Sequence, residues 1–75
     1  MTTEMKVQCV IHMVNGQNVR SGIEEATPEM VTAFKEFMTT TMKSANYALN
    51  VERDDGTVAV VPGSQVLYVE LEVVG

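Results

Sequence analysis

The chain carries a single cysteine, a single histidine, two prolines and no tryptophan, and its aromatic residues amount to 5%. One cysteine, Cys9, leaves no disulfide to be made within the chain, so a reducing compartment is expected. One histidine with one cysteine cannot assemble the ligand set of a zinc site within one subunit. Positive charge is also scarce, because five Lys and Arg face ten Asp and Glu, a formal net charge of −5. That balance argues against a nucleic-acid polymer held by phosphate neutralisation. No window approaches the roughly 18 to 20 apolar residues of a transmembrane helix. Residues 1–6 have no basic flank leading into a long apolar run, so no signal peptide is expected. The expectation is a cytoplasmic protein with neither a membrane nor a nucleic-acid polymer among its partners.

What remains is an ordinary globular mixture, 45% hydrophobic and 20% charged over 75 residues, which predicts a single domain spanning residues 1–75. A chain this short buries only about 60% of the surface its unfolded form exposes. Without a disulfide or a metal, such a domain often gains stability by association. A homo-oligomer is therefore expected.

Residues 5–14 alternate. They place Met5, Val7, Cys9, Ile11 and Met13 on one strand face and Lys6, Gln8, Val10, His12 and Val14 on the other. Asn15 and Gly16 give a hairpin signal, and residues 19–23 read as a shorter return strand in which Gly22 weakens the pairing or marks a bulge. The period then changes. Thr27 as N-cap, Pro28 at the first helical position and Glu29 near the positive end of the dipole predict a helix start. Met30, Val31, Phe34, Phe37, Met38 and Met42 recur at helical spacing, so an amphipathic helix over residues 28–43 is expected to supply much of the core.

Strand alternation returns over residues 47–53. Asp55 and Gly56 give a second hairpin signal, residues 57–61 read as a β-branched strand, and Pro62 and Gly63 suit the central positions of a type II turn. Residues 65–74 form the last strand, with Leu67, Val69, Leu71 and Val73 on an apolar face and Val66, Tyr68, Glu70 and Glu72 on an amphipathic one. The order strand, strand, helix, strand, strand, strand predicts an α+β fold: a small antiparallel β-sheet with one amphipathic helix packed on one face. Val10, His12, Val14, Tyr68 and Val74 then lie away from the helix. They offer more apolar area than a monomer comfortably exposes, so part of that face is expected to be an oligomer interface or a ligand-facing surface.

Cys9 and His12 are the obvious thiol and base, but their spacing in a strand sends them to opposite faces, so they cannot pair as nucleophile and base. Cys9 reads instead as a core residue, and His12, on the mixed face, as a candidate contact to a ligand or a neighbouring subunit. Acids cluster at Glu24, Glu25 and Glu29, at Glu52, Asp54 and Asp55, and at Glu70 and Glu72. Such pairs can hold a hard cation or exchange protons, but Asp54, Asp55 and Gly56 lack the further ligands of a calcium loop. Glu70 and Glu72 on one strand face read as protection of a sheet edge. Arg20 and Arg53 each lie near a hairpin end, where a guanidinium fork suits a phosphate or a carboxylate. Tyr68 offers a ring for stacking or packing. There is no phosphate-cradling glycine motif, nucleophile elbow or metal-binding helix signature. No catalytic activity, cofactor or metal is expected, and the candidate ligand-binding residues are His12, Arg20, Arg53 and Tyr68.

Residues 55–70, D-G-T-V-A-V-V-P-G-S-Q-V-L-Y-V-E, resemble the closing hairpin of many short phage and prophage proteins. In those a variable body is followed by a strand, a short turn containing Pro or Ser, and a strand ending in a Tyr-Val-Glu type of sequence. The resemblance implies a small phage-type accessory protein that acts by binding, as an inhibitor of a host enzyme or defence system or as an oligomeric sponge for a nucleotide signal. It transfers no functional residue. The expected function is thus a non-enzymatic homo-oligomeric binding protein, an anti-defence factor. It would either sequester a small anionic nucleotide signal where His12, Arg20 and Arg53 of neighbouring chains meet, or block a host protein through an acidic patch at Glu70, Glu72 and Asp54. The rival expectation is a structural or assembly module whose last strand pairs with a partner sheet.

Overall fold

The alternating run near the start of the chain becomes β1 (Met5–Met13), the central strand of the main sheet. The computed structural model describes residues 4–74; residues 1–3, part of the stretch read for a signal peptide, and residue 75 lie outside the described residues. Along one edge of β1 runs β6 (Val66–Val73), antiparallel, from Val7 opposite Val73 to Met13 opposite Val66. The other edge is shared by β2 (Asn18–Arg20), opposite Val10, Ile11 and His12, and β3 (Glu24–Ala26), opposite Met5, Lys6 and Val7.

The expected return strand is thus cut in two, and Gly22 stands in the cut. Ser21 N–H still donates to the Cys9 carbonyl at 2.9 Å, but Gly22 N–H turns away from β1 and donates to the Glu52 carbonyl at 2.9 Å. A Cβ on Gly22 would lie 2.5 Å from Asp54 Oδ1. A side chain at this position would have to push the Asp54 carboxylate aside.

Glu52 belongs to β4 (Ala48–Glu52), which pairs antiparallel with β5 (Val58–Pro62) in a two-stranded sheet of its own. The protein is α+β, with antiparallel strands and one helix, and the strands divide into two sheets where one was expected. The β1–β2 and β4–β5 hairpins close with the same loop. Gly16 N–H donates to the Met13 carbonyl and Met13 N–H to the Gln17 carbonyl; Gly56 N–H donates to the Arg53 carbonyl and Arg53 N–H to the Thr57 carbonyl. Only the glycines are left-handed, at φ 87° for Gly16 and 85° for Gly56. This is the three-residue loop with a glycine bulge, in place of the tighter turn in which both central residues are left-handed.

Helix α1 (Pro28–Thr41) starts as its sequence dictates, with the Thr27 hydroxyl accepting from Met30 N–H at 3.3 Å. Its contribution to the core differs from expectation. The buried apolar residues are Val7, Val10, Ile11, Ala26, Leu49, Val51 and Val61, all on strands, and no residue of α1 is buried. Val31, Phe34, Met38 and Met42 are half-buried, while Met30 is 54% and Phe37 66% exposed. The centre of the core is the meeting of Ile11 with Leu49, Val51 and Val61. The β4–β5 hairpin therefore shares the helix-bearing face of β1, and its short branched side chains fill the space that the longer Phe and Met side chains do not.

Two further expectations are corrected. Pro62 ends β5, and Gly63 opens a single 3-10 turn (Gly63–Gln65) rather than a type II turn. Its φ is not left-handed; glycine is required because a Cβ there would meet the Tyr47 ring at 2.6 Å and the Tyr47 carbonyl oxygen at 2.7 Å. In β6 the register against β1 slips between His12 and Met13, leaving Leu67 unpaired. A one-residue slip exchanges strand faces, so Val66 joins the core cluster and Leu67, expected on the apolar face, is 61% exposed.

Candidate functional site

Cross-strand pairing in an antiparallel sheet puts opposed residues on one face. The face of the main sheet turned away from α1 therefore carries Gln8, Val10 and His12 of β1, Asn18 and Arg20 of β2, and Tyr68, Glu70 and Glu72 of β6. His12 stands opposite Tyr68, and the rings stack with centroids 4.2 Å apart and planes 12° from parallel. A Glu70 carboxylate oxygen lies 2.5 Å from His12 Nε2. The contact is close in distance, but Nε2, a buried atom, makes no well-aligned hydrogen bond. It is an ion pair only when the imidazole is protonated.

Arg20 reaches across β1. Its Nη1 donates to Glu72 Oε2 at 3.0 Å and to Gln8 Oε1 at 3.2 Å, while Gln8 Nε2 donates to the Ser21 carbonyl at 2.8 Å. The guanidinium thus links both edges of the sheet over the central strand. Beneath this layer Val10 is fully buried, although both α1 and the second hairpin lie on the opposite face.

Three of the four candidate ligand-binding residues, His12, Arg20 and Tyr68, therefore meet on one face. Arg53 does not join them: it opens the β4–β5 loop, beside Asp55. Asp55 closes that loop by accepting from Thr57 Oγ1 at 2.6 Å and Thr57 N–H at 3.0 Å. Those hydrogen bonds hold its carboxyl below the usual range, with a smaller contribution from the Arg53 charge. Asp54 lies in the β4–β5 loop, against Gly22.

Glu70 and Glu72 both lean across the sheet face to His12 and Arg20, and the outer edge of β6 has no strand partner among the described residues. Leu67 and Val73 lie on that uncovered strand at 61% and 65% exposure. Cys9 faces the helix side, where burial pushes its thiol up. It is on the opposite strand face from His12, as the spacing requires.

A second feature was not read from the sequence. Between α1 and β4 runs an open groove of about 570 Å³, with Cys9 and Ile11 in its lining, Phe34, Phe37 and Met38 along α1, and Glu24 and Glu52 among its polar groups. The helical period put Phe37 in the core; only the position of β4 shows that it borders an unfilled gap. Comparison of the chain with protein-family models, with curated proteins and with solved structures finds no match in any of the three.

Proposed function

We propose that this protein is a non-enzymatic binding module that works as a homo-oligomer, its copies joining through the free edge of β6. The observation that carries the reading is an eight-residue edge strand whose two acids are both engaged on the sheet face and which has neither lysine nor proline to blunt pairing. A two-fold antiparallel pairing centred on Val69 suits this strand. It sets Glu70 of one copy opposite Tyr68 of the other and Leu71 opposite Leu67, so no carboxylate directly opposes another. The Cα radius of gyration, 12.7 Å, exceeds the about 11 Å of a compact chain of this length, in keeping with a protomer that is completed by association. The same edge serves equally to augment a partner's sheet, so the assembly reading gains weight over sequestration of a small anion, for which Arg20 is already engaged by Glu72. A phage-type accessory role rests on the resemblance of residues 55–70 alone.

Sedimentation equilibrium over a concentration series tests the proposal. The wild type should sediment above single-chain mass, and Leu67→Lys with Val73→Lys, both at exposed positions, should return it to a monomer with unchanged circular dichroism. A wild type that stays monomeric throughout, or a double variant that associates as before, overturns it.

A further inference from the structure

We propose that the groove between α1 and β4 is a docking site for a short basic amphipathic helix of a partner protein. The wall supplied by α1 from Phe34 to Thr41 is about 10 Å long, which matches two turns of a docked helix presenting apolar residues at three- and four-residue spacing. Its apolar borders are already at the surface: Phe37 is 66% and Val58 58% exposed. Glu24 and Glu52 are the charged groups of the lining, and neither Lys nor Arg is part of it. An apolar trough with charge of one sign selects a ligand of the other sign.

Other occupants fit less well. A second copy has α1 as its one α-helix among the described residues, and that helix already lines its own groove, while an anionic lipid surface is repelled by Glu24 and Glu52. No residue of β6 lines the groove, so this docking is independent of the edge pairing proposed above, and either can fail alone.

Fluorescence anisotropy with a labelled designed helix of Leu and Lys, and its Leu and Glu counterpart, tests the inference. The Leu–Lys helix should bind the wild type. Reversing the groove acids with Glu24→Lys and Glu52→Lys should weaken that binding at least about tenfold and favour the Leu–Glu helix. Reversing two exposed acids outside the groove, Glu4→Lys and Glu36→Lys, makes the same change in net charge and should alter binding by no more than about twofold. Phe37→Ser, at a position that folding does not bury, should also weaken it. Equal losses from the two reversals would reduce the effect to general acidity and overturn the proposal, as would absence of binding or indifference to Phe37→Ser.

Discussion

On the face of β1 that carries Gln8, Val10 and His12, neither α1 nor the second sheet is present, yet Val10 is fully buried. On the other face both α1 and the β4–β5 hairpin lie over the strand, yet Phe34 and Met38 remain only half-buried. The difference lies in how the covering side chains are held. Arg20 and Glu70 stand opposite Val10 on its two neighbouring strands; Arg20 is held across the face by Glu72 and Gln8, and Glu70 lies against His12. The hairpin seals the opposite face only where Leu49, Val51 and Val61 meet Ile11. Beyond that contact, α1 spans the sheet on long side chains and leaves the groove. The second layer still buries most of the core, since Val7, Ile11, Ala26, Leu49, Val51 and Val61 all lie between the layers, and Val10 shows that well-registered neighbours alone can bury one further residue.

The largest expected effect that tests this contrast is at Ile11. Ile11→Ala should cost about 2 to 5 kcal/mol in urea unfolding, whereas Phe37→Ala should stay within about 0.5 kcal/mol because its ring is mostly solvated already. Comparable losses at the two positions would mean that the groove is closed in solution. Next come the two close approaches of the second sheet. Gly63→Ala sets a methyl against the Tyr47 ring and carbonyl and should cost about 1 to 3 kcal/mol. Gly22→Ala meets the end of one carboxylate, so its smaller loss in unfolding midpoint should be recovered by adding Asp54→Ala.

The polar face should respond more weakly. Arg20→Gln should cost no more than about 1 kcal/mol, because the partly exposed pair with Glu72 is screened, and the difference should shrink as salt is added. The smallest effect is at Asp55. Its folded carboxyl titrates below its unfolded value, so its stabilisation is present above the unfolded pKa and lost as pH falls through the folded one. Acid titration of Asp55→Asn against wild type should show the variant losing that part of the acid dependence; parallel curves would show that the Thr57 contacts are not kept in solution.

Much of this architecture was legible because it is local. The N-cap at Thr27, the glycine-bearing loops at Gly16 and Gly56, and the face shared by His12, Tyr68, Glu70 and Glu72 all follow from residue spacing. What was not legible depends on contacts made across the chain. The slip at Leu67 follows from how β6 meets the far end of β1, where Val14 N–H donates to the Gln65 carbonyl at 2.9 Å. The role of Gly63 depends on Tyr47, and the half-burial of α1 depends on where the second hairpin lands. At the candidate site, the spacing supplied the strand faces of His12 and Tyr68, but not the reach of Arg20 to Glu72 over β1. Nor did it separate Arg53 from them, since that follows from the split into two sheets.

The bond from Gly22 N–H to the Glu52 carbonyl is, among the described residues, the one backbone hydrogen bond that ties the two sheets together. Protection of a backbone amide from solvent exchange follows the opening of its own structural unit. The Gly22 amide is therefore a built-in reporter: its exchange rate registers undocking of the β4–β5 hairpin, while the amides shared by β1 and β6 register loss of the main sheet.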